Sequence, residues 1–118
     1  MATVDKLDAR ESLVYGLAML ALVRKLAGLP SWREPLDRGL TLEAELELPQ
    51  LDGCPSAFQA DAHRIGFELD EARHAYERMF ARATERGDVQ TESWCQLGLA
   101  TVEIHAGRWE AAAVHKRE

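Results

Sequence analysis

Gly66 and Gly107 stand 41 residues apart, and each closes one helical stretch and leads by a short turn into the next. After Gly66 the chain reads Leu69-Asp70-Glu71-Ala72; after Gly107 it reads Trp109-Glu110-Ala111-Ala112, one residue sooner. A recurrence in this range is the mark of stacked helical hairpins, in which each unit covers the apolar face its neighbour leaves open. Strand-type alternation is nearly absent. The chain therefore reads as all-α, one domain or part of one at 118 residues.

Helix start and stop signals divide it. Asp8 with Glu11 resembles a capping box for a first helix over residues 9–27, which Gly28 and Pro30 end. Ser31, with Glu34 three residues on, opens a second that fades between 46 and 49, and Gly39 weakens its middle by about 1 kcal/mol relative to alanine. Pro49, Asp52, Gly53 and Pro55 punctuate a loop over 50–55. Ser56 with Gln59 opens a short third helix ending near Gly66. A fourth spans Leu69–Arg86 and stops at Gly87. Asp88 caps a fifth that runs to Ala106, and a sixth begins at Trp109.

The faces differ. Leu69, Ala72, Tyr76, Met79, Phe80 and Ala83 make one stripe of the fourth helix, with Asp70, Glu71, His74, Glu77, Arg78 and Arg82 off it. In the fifth, Trp94, Leu97, Thr101 and Ile104 fall on one side and Cys95, Leu99, Val102 and Ala106 on another. A helix apolar over most of its circumference needs cover on both sides. The acidic run 43–47 reads as a solvated face. The sixth helix is too short to be stable alone, so the chain is expected to end inside an element, as part of a longer array or a self-associating piece.

Composition narrows the function. Twenty Asp+Glu against fourteen Lys+Arg give a formal net charge of -6. Duplex nucleic acid is held largely by cations on phosphates, so direct nucleic acid contact by this segment is not expected. The apolar run 13–26 is broken by Arg24 and Lys25 and is short of the roughly 20 residues a membrane span needs. The N-terminus lacks a basic start followed by an apolar run, so no signal peptide is expected, and the chain reads as cytoplasmic. Cys54 and Cys95 form no CxxC pair; two half-buried reduced thiols fit a reducing compartment, with a disulfide left open.

No catalytic constellation emerges. Glu71 and His74 have the spacing of carboxylate-bridged metal bundles, but such sites need a second copy that this sequence lacks. Cys95 and His105 are ten residues apart on one helix, about 15 Å along it, so they make no dyad. Phosphate-binding glycine loops are absent. A non-catalytic module without metal or cofactor is the expectation. Trp94 shares a face with Leu97, Thr101 and His105. Either that face lines a groove with an aromatic anchor, or Trp94 packs under a neighbouring hairpin. His105, beside Gly107, would favour the negative end of its helix. Trp32 and Trp109 read as buried staples at helix starts.

The segments Leu69-Asp-Glu-Ala-Arg-His-Ala-Tyr-Glu-Arg-Met-Phe-Ala-Arg-Ala-Thr-Glu-Arg-Gly-Asp88 and Trp94-Cys-Gln-Leu-Gly-Leu-Ala-Thr-Val-Glu-Ile-His-Ala-Gly-Arg-Trp-Glu-Ala-Ala112 resemble the tetratricopeptide-like region of large LuxR-family ATP-dependent transcriptional regulators. Residues 36–49 fit that region more loosely. The resemblance implies a right-handed array of five to six helices in stacked antiparallel hairpins. It implies a protein partner or self-association through helical faces, or a small-molecule inducer as the alternative. ATP hydrolysis and DNA binding would belong to flanking domains. Arg64-Ile-Gly-Phe-Glu-Leu-Asp carries one residue more than the family's Gly-x-Leu-Asp turn. The groove expected to receive a partner or ligand comprises Arg64, Trp94, Leu97, Thr101 and His105.

Overall fold

The computed structural model describes residues 2–107, with side chains from Ala9 onward. Among them the protein is all-α and has no strand. The helices are α1 (Ala2–Leu26), α2 (Arg33–Glu45), α3 (Pro55–Ile65), α4 (Leu69–Arg86) and α5 (Val89–His105), with one 3-10 turn at Pro30–Trp32. The expected sixth helix lies outside the described residues. The chain divides into two compact units, with the boundary between Phe58 and Gln59 inside α3.

In the first unit α1 packs along α2. Val14, Leu17, Ala18 and Ala21 of α1 and Leu36 of α2 are buried, as are Leu48, Leu51 and Cys54 from the connection that follows. Helix α1 starts well before the expected capping box: Asp8 lies within it, because no glycine or proline interrupts the residues ahead. Its end is a Schellman turn. Gly28 sits at φ 75°, its N–H donates to the Lys25 carbonyl, and the Leu29 N–H donates to the Arg24 carbonyl.

Ser31 does not cap α2. It lies in the 3-10 turn that Pro30 begins, and α2 starts after Trp32 without a side-chain cap. Trp32 is half-buried, with Phe58 against its ring edge and Lys25 and Arg33 each within 5 Å of its centre, at 4.4 and 4.6 Å. Gly39 has a packing reason. A Cβ there would stand 2.9 Å from Pro55 Cγ and 3.4 Å from Leu17 Cβ, so only glycine admits Pro55.

The expectation of a solvated acidic run fails at Glu43, which is 5% exposed. Its carboxylate accepts from the Ser56 N–H (2.9 Å) and the Ser56 hydroxyl (2.7 Å). Ser56 is therefore not the cap of α3. It lies in the first turn, after Pro55, and the carboxylate from α2 satisfies one of the N–H groups that every helix start leaves open. Glu45 and Glu47 are exposed, as expected.

In the second unit α4 and α5 form a hairpin with both ends set by the residues the sequence marks. Gly87 takes φ 67°; its N–H donates to the Thr84 carbonyl and the Asp88 N–H to the Ala83 carbonyl. Asp88 then caps α5, accepting from the Thr91 N–H at 3.1 Å. The core joins Ala60 of α3, Ala72, Ala75 and Tyr76 of α4, and Leu99 and Val102 of α5, with Leu69 and Trp94 at its edge. Of the predicted α4 stripe, Ala72, Tyr76, Met79 and Ala83 are buried and Leu69 and Phe80 half-buried, and Ala75 joins the buried set. Both thiols are fully buried rather than half-buried. Arg73 of α4 bonds Glu103 of α5 (3.0 Å) and Asp70 (3.0 Å). Burial opposes its charge, but these carboxylates outweigh that and raise its pKa.

Candidate partner-binding face of the second hairpin

Tyr76 organises this end of the unit. Its side chain is fully buried, and its ring lies directly on the Gly98 backbone of α5. A Cβ at Gly98 would come within 2.5 Å of Tyr76 Cζ and 2.8 Å of Cδ1, closer than real Cβ atoms approach. Glycine is what lets α4 and α5 close on the ring. The phenol hydroxyl donates to Asp61 Oδ1 (2.5 Å) and accepts from Arg64 Nε (3.0 Å), both from α3. Burial pushes the phenol's pKa up, the Asp61 carboxylate adds to the rise, and Arg64 opposes it. For Arg64, burial works against the charge, but Tyr76 and Asp61 prevail and its pKa is raised. The phenol thus stays neutral, and the three side chains tie α3 to α4.

Trp94 meets the same ring. It is half-buried, edge-to-face on Tyr76 with centroids 5.3 Å apart at 65°. The ring it packs on belongs to its own hairpin, not to a neighbouring one. Leu97, one turn on, is 58% exposed. Thr101 is half-buried, and its hydroxyl donates back to the Leu97 carbonyl at 2.8 Å. His105 is exposed and lies against Phe67, ring centroids 5.5 Å apart. The structure therefore gathers Trp94, Leu97, Thr101 and His105 on one side of α5, with Leu99 and Val102 turned inward. Arg64 reaches this end of the unit through the Tyr76 hydroxyl, on whose ring Trp94 packs.

Phe67 is the residue that sequence reasoning missed. It is 72% exposed and, among the described residues, the one non-glycine at positive φ (59°). The α3 terminus is a Schellman turn like those at Gly28 and Gly87. The Phe67 N–H donates to the Arg64 carbonyl and the Glu68 N–H to the His63 carbonyl. Here the glycine comes one position early, and the left-handed slot falls to phenylalanine. The signal was the extra residue in Arg64-Ile-Gly-Phe-Glu-Leu-Asp. His63 Nδ1 to Glu68 Oε1, at 2.9 Å, braces the turn.

A left-handed L-residue costs about 1–2 kcal/mol, and a mostly exposed ring recovers little of it. Phe67→Gly is expected to stabilise the protein by about 0.5–1 kcal/mol after glycine's own entropy cost. A rise in the urea midpoint with unchanged slope would show this; a fall would mean that the His105 contact outweighs the strain.

Among the described residues no group of three or more His, Cys, Asp or Glu side chains is placed to hold a metal ion. No helix there is long and apolar enough to cross a membrane. What this face offers is apolar and aromatic contact area around Leu97 and Phe67, with the Thr101 hydroxyl and the His105 imidazole at hand. No protein family, curated protein or solved structure matches the chain.

Proposed function

We propose that this chain is a non-catalytic helical-repeat module for interaction and regulation, and that the outer side of α5 docks a protein partner. The observations that carry the reading are Leu97, open to solvent on this side of α5, and Phe67, held open in a strained conformation at the end of α3 with its ring against His105 of the same side. Backbone strain that packing does not require points toward function. Large apolar side chains exposed along one side of a helix suit an interface more than a monomer's surface. In this reading the module serves transcription regulation in the manner of the LuxR-family repeats its sequence resembles. It works in the cytoplasm, with stacked hairpins as its architecture and without contacting DNA itself.

The alternative, a small-molecule inducer pocket, has less support within the second unit. Tyr76 fills the space between α4 and α5 against Gly98, and Trp94 closes over it.

The test compares the unmodified chain with Leu97→Glu as baits in native extract. Position 97 is exposed, so the variant should keep its circular dichroism and melting point. A protein retained by the former and lost from the latter supports the reading, as does loss of the same protein by the more stable Phe67→Gly. A partner held equally by all three chains contradicts it. A metabolite that raises the melting midpoint, with no protein dependent on Leu97, transfers the case to the inducer reading.

A further inference from the structure

Helix α1 has two apolar sides, and the first hairpin uses one of them. Val14, Leu17, Ala18 and Ala21 are buried. Between residues 9 and 27 the exposed positions are Ala9, Arg10, Ser12, Leu13, Gly16, Met19, Leu20, Val23, Leu26 and Ala27. All but Arg10 and Ser12 are apolar or glycine. Ala9, Leu13, Gly16, Leu20, Val23 and Ala27 follow one another at alternating spacings of four and three. That is the seam of a two-helix coiled coil, where side chains of one helix enter holes in the other. A Cβ built on Gly16 meets nothing within 4 Å, so an open hole lies in the middle of the seam.

The geometry points to a second copy of this chain as the occupant, with the two α1 helices packed antiparallel about a two-fold axis. Antiparallel pairing sets Leu20 of each copy into the Gly16 hole of the other. It sets Leu13 against Val23 and closes both ends with Ala9 against Ala27. A parallel pair would put Gly16 on Gly16 and Leu20 on Leu20, leaving a void in one layer and crowding the next. A two-fold interface is self-complementary by construction, as this sequence of sizes is. The five large side chains on this side, Leu13, Met19, Leu20, Val23 and Leu26, are 40–79% exposed. Together they expose roughly 500 Å² of apolar surface per copy, Met19 and Leu26 at the flank of the seam, which sets a ceiling of about 1,000 Å² on the area pairing buries, the small end of specific interfaces and in keeping with a reversible dimer. This inference concerns the first unit and does not rest on the α5 face.

Sedimentation equilibrium of the full chain tests it. The expected result is a reversible dimer at micromolar concentration. Gly16→Leu has room in the monomer and fills the hole, so it should weaken dimerisation by about tenfold or more with helicity retained. Leu20→Glu should do the same, which guards against one variant failing for another reason. Orientation is read by oxidising a mixture of Gly16→Cys and Leu20→Cys chains. Cross-linking between the two variants, in excess of either with itself, is expected. A monomer up to about 100 μM, where a specific dimer should have formed, would overturn the proposal. So would a dimer indifferent to both blocking substitutions, or self-linking of Gly16→Cys in preference to the mixed product.

Discussion

Gly98→Ala should destabilise the protein by about 2 kcal/mol, although the same change in an open helix stabilises it by about 1 kcal/mol. The reason is local. The added methyl would occupy the space of the Tyr76 ring, which cannot retreat because its hydroxyl is held by Asp61 and Arg64. Either α5 lifts from α4 or the ring leaves its hydrogen bonds, and each route forfeits part of the second unit's core. For a domain of this size the melting midpoint should fall by roughly 10 °C. A double-mutant cycle isolates the cause: in a Tyr76→Leu background the alanine should cost little or nothing. Equal costs in both backgrounds would show that the Tyr76 contact is not what excludes a side chain at position 98. Gly16 is the natural control. No atom waits there, and Gly16→Ala should raise the intrinsic stability of α1.

Glu43→Ala should be the other large loss, about 3 kcal/mol, because it removes charge-assisted hydrogen bonds to both the N–H and the hydroxyl of Ser56 at the start of α3. Ser56→Ala removes only the hydroxyl bond and leaves the N–H on the carboxylate, so about 1 kcal/mol is expected. Urea unfolding of the two variants orders them. If Ser56→Ala costs as much as Glu43→Ala, the N–H bond contributes nothing, and the account of how α3 begins is wrong. Gly39 belongs to the same junction, since it is what admits Pro55 beside α2.

These cases mark where sequence reading succeeds and where it stops. The α4–α5 hairpin was legible because its determinants are local: glycine at the left-handed position, an aspartate cap directly after it, and one apolar stripe in 3.6-residue register. The shared face of Trp94, Leu97, Thr101 and His105 followed from the same periodicity. The link from Arg64 to Trp94 runs through Tyr76 of another helix, which periodicity within α5 does not reveal. Glu43 looked like one carboxylate among several. Its burial depends on Ser56, thirteen residues along the chain and across a loop. Gly98 carries no local mark that distinguishes it from Gly16, though one touches a ring and the other faces open space. Phe67 was half visible: the extra residue in its turn was plain, but which residue would take the left-handed slot depended on where α3 ended.

Helix α5 presents a closed inner side and an open outer side two residues apart. Thiol labelling measures this directly in a Leu97→Cys chain. The introduced thiol should react at close to the rate of a small free thiol. Cys95, at 0% exposure, should react only as fast as the protein unfolds. Slow labelling at position 97, or rapid labelling of Cys95 under native conditions, would contradict the arrangement and the partner-binding face built on it.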